Sequence, residues 1–243
     1  MDQESLRINR FLSAAGVCSR READRLIESG RVLVNGHVAK KGMQILSTDE
    51  VVFDKKVLKK KEERTLLLFN KPCGIVCTEE KREKNNIIDY INYPARIFTI
   101  GRLDKESRGL ILLTDDGSIV NDIIKGSSRH EKEYHVTVDK PLTEAFLKKM
   151  REGVFLEELS VTTRRCKVKK TGKSSFDITL TQGLNRQIRR MCEALGYRVV
   201  DLMRFRIMNL FVDDIREGSY RRITEEEERE LFKELYNADQ DSK

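Results

Sequence analysis

A charged segment, Asp54–Arg64, divides the sequence into two parts whose apolar patterns differ. Its sequence, DKKVLKKKEER, has only two apolar residues, which is typical of a linker between domains. A chain of 243 residues can hold one large domain and one small one. We therefore predict domains at 1–53 and 65–236, joined by a linker at 54–64 and followed by a flexible tail at 237–243.

The first part has the pattern of a compact module made of two helices and short strands. Apolar residues recur at helical spacing through LRINRFLSAAG. In the next segment, SRREADRLIESG, Ser19 and Glu22 form a predicted capping box, and Gly30 predicts the end of a second helix. The pair Asn35-Gly36 lies within an alternating segment and predicts a hairpin turn.

The second part mixes strand-like and helical runs. Strand-like runs occur at TLLLFNKP, RIFTIGRL, LILLTDD, EKEYHVTVD, RCKVKK and SFDITLTQG. Helical runs occur at IIDYIN, SIVNDIIKG, TEAFLKKMREG and RQIRRMCEALG, and Glu225–Tyr236 predicts a closing helix. The order is not a regular βαβ repeat, so we predict an α+β fold.

Composition weakly favours a polyanionic partner. The net charge is +7 and the pI is near 9.1. The stretch Thr163–Lys173 contains no acidic residue, and every cation between Leu184 and Arg206 is arginine, which suits phosphate contacts and stacking on bases. The alternative is a solvated charged face, which more usually mixes lysine with glutamate.

The cysteines and the polar amino terminus indicate a cytoplasmic protein. Five scattered cysteines fit reduced thiols better than a disulfide framework. No second pair of ligands accompanies Cys73 and Cys77 at zinc spacing, so we predict neither a metal nor a cofactor. We expect no secretory signal in the first ten residues and no apolar run long enough to span a membrane.

The segment Gly101–Gly117, GRLDKESRGLILLTDDG, carries the candidate chemistry. It places Asp104 in a loop before an apolar strand, between Arg102 and Arg108. An isolated aspartate in such a loop is usually a turn cap, and the two arginines raise the odds of a functional carboxylate only modestly.

The order of several motifs favours a functional role for Asp104 over a turn cap. The segment resembles motif II of the pseudouridine synthases, and three further motifs of that family follow the same order: Asn70-Lys71-Pro72 with Gly74, Glu131–Tyr134, and Gly183–Arg190. The first part resembles the S4 RNA-binding domain. The chain is thus similar to the RsuA family, most of all to its RluF-type synthases of 23S ribosomal RNA. The resemblance implies an S4-like domain followed by a catalytic domain with a mixed, mainly antiparallel sheet flanked by helices.

The resemblance also implies catalytic roles. Asp104 would be the catalytic carboxylate, and Arg189 would pair with it and keep it ionised. Tyr134 would stack on the target uracil, with its hydroxyl near C5, and Leu202 would pack on the other face of the ring. Arg102 would fill the space that the flipped uridine leaves.

The remaining roles concern the pocket wall and the RNA backbone. Lys71 would shape the pocket as a substrate-binding residue. The expected RNA-binding residues are Arg20, Arg21, Arg25, Arg186 and Arg190. Many relatives carry Gly-Arg-x-His/Arg-Gln in this motif, whereas this chain has Leu184 and Asn185 after Gly183. Any role of the missing arginine must therefore be filled by another residue.

Two other functions and several details stay open. An RNA-binding assembly factor that has lost catalysis, or a metal-dependent hydrolase using Asp115-Asp116, would also suit parts of the sequence. The target could be 23S ribosomal RNA or a transfer RNA stem-loop, naked or within an assembling subunit. The aspartate could act on the sugar or on the base, and we expect a monomer.

Overall fold

A computed structural model of the chain describes residues 5–58, 64–117, 119–124 and 130–240, with side chains in the last helix as far as Leu235. These residues form two compact units. One contains the described chain up to Thr65 together with Pro94–Ile97 and a short segment that begins at Thr114, and the other contains the rest.

The first unit is built from two helices and short strands. In chain order these are β1 (Leu6–Arg7), α1 (Ile8–Ala14), α2 (Arg20–Glu28), β2 (Val32–Val34), β3 (His37–Val38), β4 (Gln44–Ile45), β5 (Val51–Phe53) and β6 (Lys56–Leu58). Strands β3-β2-β5-β6 form an antiparallel sheet, and β1 pairs with β4. Buried side chains from both helices and from the sheet form one core.

Two predicted local features of this unit are confirmed. The hydroxyl of Ser19 accepts a hydrogen bond from the N–H of Glu22 at 3.2 Å and so caps α2. The turn between β2 and β3 is at Asn35-Gly36, where φ is 49° and 80°. Positive φ at both positions is what a two-residue hairpin turn requires, and it explains the Asn-Gly pair.

The predicted linker is wrong in its first residues. Lys56–Leu58 form β6, which continues the sheet by pairing with β5. Asp54 accepts two hydrogen bonds from the guanidinium of Arg31. Val57 and Leu58 are adjacent apolar residues, and Leu58 packs against the core of this unit, so the segment can pair as an edge strand despite its charge. The rest of the predicted linker, 59–63, lies outside the described residues.

The second unit contains a nine-stranded mixed sheet. Its elements are β7 (Leu66–Lys71), α3 (Ile87–Ile91), β8 (Phe98–Ile100), β9 (Arg108–Thr114), α4 (Val120–Ile124), β10 (Lys132–Val138), α5 (Glu144–Glu152), β11 (Phe155–Leu156), β12 (Val161–Thr162), β13 (Lys167–Lys170), β14 (Ser175–Leu180), α6 (Gln187–Ala194), β15 (Val199–Ile207), β16 (Leu210–Phe211), β17 (Tyr220–Arg222) and α7 (Glu225–Gln240). Seven of the nine strands follow the order β13-β14-β10-β15-β9-β7-β17. Of the other two, β16 pairs with β15 and β8 pairs with β9.

The sheet is largely antiparallel, and its parallel joint lies between β15 and β9. Helices α5 and α6 contribute to an apolar cluster with β10, β13 and β14, and α7 contributes to a second cluster with β7 and β9. The predicted α+β class and the mixed sheet flanked by helices are confirmed.

The predicted elements of the second unit are present, and one long strand was missed. Strand β15 has nine residues, of which Val199, Leu202, Arg204 and Ile207 are buried, and three charged residues interrupt its apolar pattern in the sequence. The closing helix continues to Gln240, so the predicted tail is helical from 237 to 240, and 241–243 lie outside the described residues. None of the described helices is both long and apolar enough to cross a membrane.

Candidate active site

Asp104 lies in a tight turn immediately before β9. The N–H of Ser107 donates to the carbonyl of Asp104 at 3.1 Å and closes the turn. Ser107 is buried, whereas the Asp104 side chain is 30% exposed and open to a ligand. The turn therefore fixes a backbone while leaving a carboxylate accessible.

The end of β7 and the segment after it donate hydrogen bonds to this turn. The N–H of Gly74 donates to the carbonyl of Lys105 at 2.8 Å, and Lys71 Nζ donates to the same carbonyl at 3.5 Å and to that of Pro72 at 2.9 Å. Burial lowers the pKa of Lys71, and the nearby Cys77, Cys73, Asp104 and Glu106 oppose that shift. Lys71 is fully buried and supports the turn through these carbonyls, and its contact with substrate stays a prediction.

Arg186 is the cation that lies against Asp104. Its Nη1 is 3.9 Å from Asp104 Oδ2 and 3.0 Å from Glu106 Oε2. The hydrogen bond from Arg186 is the main reason that the pKa of Glu106 is lowered. Arg186 immediately precedes α6 and has a left-handed backbone, with φ 51° and ψ 32°. A left-handed conformation is unusual for a residue other than glycine and often marks a functional position.

Arg189 does not pair with Asp104, in contrast to the prediction. Its Nη2 donates to the carbonyl of Glu106 at 3.1 Å and to Ser107 Oγ at 3.3 Å, and its Nη1 donates to the carbonyl of Val199 at 3.5 Å. Arg189 is 8% exposed because it lies one turn into α6, on the buried face of the helix. It supports the turn through the carbonyl of Glu106, next to the carbonyl of Lys105 that Lys71 binds, while Arg186 lies beside the carboxylate.

Tyr134 and a buried arginine lie on adjacent strands. Tyr134 in β10 is paired with Arg204 in β15, and the guanidinium carbon of Arg204 is 6.0 Å from the centre of the tyrosine ring. Arg204 is 4% exposed, and its Nε donates to the carbonyl of Leu110 at 2.7 Å. Burial, and to a smaller degree the charge of Arg204, lowers the pKa of Lys132 to about 8.

Leu202 lies in the apolar cluster against which Tyr134 packs. It is paired with Val136, two residues beyond Tyr134 on the same strand, and is 5% exposed. Tyr134 and Leu202 therefore belong to one apolar cluster, and most of Leu202 is covered by the core.

Arg102 and the predicted RNA-binding arginines differ in their exposure and in their ion pairs. Arg102 is exposed beside the turn, and Arg20 and Arg21 are exposed on α2 of the first unit. Arg25, also on α2, pairs with Glu22 at 3.2 Å. Arg190 is bound by the carbonyl and the side chain of Asn185 and pairs with Glu158. Asn185 thus anchors a neighbouring arginine.

Sequence reasoning missed Arg204 and Ser107 as parts of the site. Arg204 carries a buried guanidinium with no carboxylate partner among the described residues, and its Nη2 is buried without a hydrogen-bond partner there. No sequence signal marked Arg204, because the charged residues of β15 conceal the strand, so that its burial is evident only in the folded sheet. Ser107 could have been suspected only as a polar residue at the start of an apolar strand.

Comparison with known proteins agrees with this geometry. The sequence pattern of the RNA pseudouridylate synthase family matches residues 65–194, and that of the S4 domain matches residues 6–51. The dual-specificity RNA pseudouridine synthase RluF of Escherichia coli (strain K12) is 48% identical over 245 residues, covering 100% of this chain and 84% of the relative.

More distant relatives carry related names. The ribosomal small subunit pseudouridine synthase A of Haemophilus influenzae is 32% identical over 232 residues, covering 94% of this chain and 100% of the relative. A crystal structure of a pseudouridylate synthase superposes with a TM-score of 0.68 at 32% identity, covering 93% of this chain and 99% of the other. With a family match over more than half of its length and relatives that span nearly all of it, the chain belongs to the RNA pseudouridine synthases and is an isomerase with an amino-terminal S4 domain.

Proposed function

We propose that the enzyme converts a specific uridine of 23S ribosomal RNA to pseudouridine, with Asp104 as its catalytic carboxylate. The observation that carries this proposal is the turn at Asp104, which Lys71 and Arg189 support through backbone carbonyls while the carboxylate stays accessible beside Arg186. A transfer RNA stem-loop is a second candidate substrate, because the name of the RluF relative from E. coli speaks of dual specificity.

The reaction suits these residue types. The bond between C1′ and N1 breaks, the uracil rotates, and C5 bonds to C1′. The proton on C5 is lost and N1 gains a proton, so the product is an isomer of the substrate. Whether Asp104 attacks as a nucleophile or removes a sugar proton, it acts as a carboxylate, and the guanidinium of Arg186 lies 3.9 Å from it.

We assign the base-binding roles to the groups around this carboxylate. Tyr134 stacks on the uracil, and its hydroxyl serves the proton transfer at C5. Leu202 contacts the base by its small exposed edge. Arg102, exposed beside the turn, stacks in the gap that the flipped uridine leaves in the RNA, which a planar guanidinium can do.

The wider RNA contacts come from both units. The exposed arginines of α2, which are Arg20, Arg21 and Arg25, bind RNA backbone. Near the catalytic turn, Arg186 and Arg190 bind it. We propose that the enzyme works as a monomer in the cytoplasm, where ribosomal RNA is modified.

Arg186, which precedes α6, and Arg189, which lies within it, should have different effects when they are replaced. We expect Arg186→Gln to lower kcat by about a hundredfold, because the ion pair beside Asp104 is lost. Its melting temperature should stay within about 2 °C of the wild type, because the side chain is exposed. Arg189→Gln should lower the free energy of unfolding by about 2 kcal/mol, because buried acceptors lose their donor.

These two variants are checked by single-turnover kinetics and thermal unfolding. If Arg189→Gln loses activity at unchanged stability while Arg186→Gln stays fully active, Arg189 is the cation that serves Asp104. The roles assigned here to the two arginines would then be reversed.

Chemical mapping of pseudouridine tests the proposed function itself. Carbodiimide adducts are located by primer-extension stops across total RNA from cells with and without the gene. We expect one stop in 23S ribosomal RNA, with or without a second in a transfer RNA, to disappear on deletion and to return with the wild-type gene.

The alternative function predicts a different map. If the chain is an RNA-binding assembly factor that does not use its catalytic motif, every stop persists after deletion while the RNA still binds the purified protein. That result would overturn the proposal.

A further inference from the structure

Four exposed cations lie along one edge of the nine-stranded sheet, on strand β13 and the turns beside it. They are named here the basic edge: Arg165, Lys169, Lys170 and Lys173. The stretch from Thr163 to Lys173 contains no acidic residue. Within the described part of the chain, none of the four forms an ion pair.

Other cations of the same unit are neutralised by nearby carboxylates. Arg206 pairs with Glu131 at 2.6 Å, and Arg221 pairs with Glu227 at 2.7 Å. Lys167, the first residue of β13, pairs with Glu131 at 3.0 Å. The four cations of the basic edge differ from these in having no ion pair within the described residues, although Asp177 of β14 is in register with Lys169.

Strand β13, which carries the basic edge, is in register with the part of β10 that contains Tyr134. Val168 of β13 is in register with Ile178 of β14, and Ile178 is in register with Tyr134 of β10. Two strand spacings correspond to about 10 Å across the sheet. RNA that presents a uridine to Tyr134 thus needs to extend only a short way to reach β13.

A loop connects the basic edge to the catalytic turn. The N–H of Arg164 donates to the side-chain oxygen of Gln182 at 3.0 Å. Gln182 begins the loop that leads to Arg186, and Arg186 lies beside Asp104 and Glu106. This loop therefore links the basic edge to the catalytic turn through a backbone contact, and the cations stand at its two ends, since residues 181–185 carry no charge.

The edge is poorly suited to receive a strand from a protein partner. Arg151 of α5 donates through Nε to the carbonyl of Val168 at 3.0 Å, and the N–H of Cys166 donates to the carbonyl of Arg151 at 3.1 Å. These bonds occupy part of the outer backbone of β13. Lysines on an edge strand also oppose pairing with another strand.

From this placement we propose that the basic edge binds phosphates of the RNA that flanks the target uridine, as a contact separate from the S4 domain. The proposal rests on the proposed function, since it takes the RNA at Asp104 to be the RNA at the edge. Lysine and arginine that neutralise phosphates release counterions, so binding through them weakens steeply with salt.

The test compares two full-length variants that lose the same charge. The edge variant carries Arg165, Lys169, Lys170 and Lys173 changed to glutamine. The control variant carries the same change at four exposed cations on α5 and α7: Lys148, Lys149, Arg229 and Lys233. Filter binding to a 23S ribosomal RNA transcript is measured between 50 and 300 mM salt (about the range in which such contacts are resolved), and circular dichroism checks that both variants fold.

We expect the edge variant to bind the transcript at least about tenfold more weakly than the wild type at low salt, with the slope of log affinity against log salt reduced by about 3. The control variant should stay within about threefold of the wild type, with a smaller change of slope. Equal behaviour of the two variants would overturn the proposal and leave the edge available to an acidic protein. Because binding is measured without turnover, failure of the proposed function would show separately, as a wild type that binds RNA but forms no pseudouridine.

Discussion

Replacing Asp104 with asparagine should abolish isomerisation and leave RNA binding almost unchanged. The amide has nearly the shape of the carboxylate but carries no charge, so it can neither attack nor accept a proton. We expect the single-turnover rate to fall by at least about a thousandfold. The backbone of the turn should persist, because its hydrogen bonds from Lys71, Gly74 and Arg189 go to carbonyls and to a serine hydroxyl.

Glu106→Gln provides a matched control for that variant. The same chemical change is made two residues away, in a carboxylate that lies 3.0 Å from the same guanidinium. It should keep at least about a tenth of the wild-type rate, because Arg186 stays beside Asp104. If both variants lose activity and RNA affinity together, the turn has collapsed, and Asp104 would then be structural and not catalytic.

The fold class and the catalytic loop could be predicted because they depend on local patterns. The apolar runs of the large unit predict β7, β9, β10 and β14 with small errors at the ends. The motif order places Asp104 just before β9, and the structure confirms a turn there. Both results need only residues that are neighbours in sequence.

The partners of the catalytic turn could not be predicted because they come from distant parts of the chain. Arg186 and Arg189 are three residues apart, and each could reach a carboxylate. Which of them does so depends on where α6 begins and on the left-handed backbone at Arg186, and the sequence shows neither. Lys71 was expected at a pocket wall, but its burial follows from its place at the end of a strand buried on both faces.

Strand β15 and Arg204 were missed for a related reason. The strand contains Asp201, Arg204 and Arg206, whose charges interrupt its apolar pattern. Asp201 pairs with Arg108, and Arg206 pairs with two glutamates at the start of β10. These partners lie more than seventy positions away in the chain, so the strand is evident only once the sheet is formed.

The largest expected effect on stability is at Gly109, where β9 meets β15 in the parallel joint. A Cβ at this position would lie 2.2 Å from the carbonyl oxygen of Arg204, and φ is 104°, a conformation that other residues rarely adopt. Gly109→Ala must therefore strain the backbone and separate two central strands. We expect a loss of more than about 4 kcal/mol, or a fall in melting temperature of at least about 10 °C, seen by circular dichroism.

Gly183→Ala is the control for this variant, since a Cβ there would meet no atom within 4 Å. Its melting temperature should stay within about 3 °C of the wild type. Because β9 starts at the end of the catalytic turn, any folded Gly109→Ala protein should also have a displaced Asp104 and a reduced rate. If Gly109→Ala were as stable and as active as Gly183→Ala, the close joint between β9 and β15 would be dispensable, and Asp104 would have to be positioned by Lys71 and Arg189 alone.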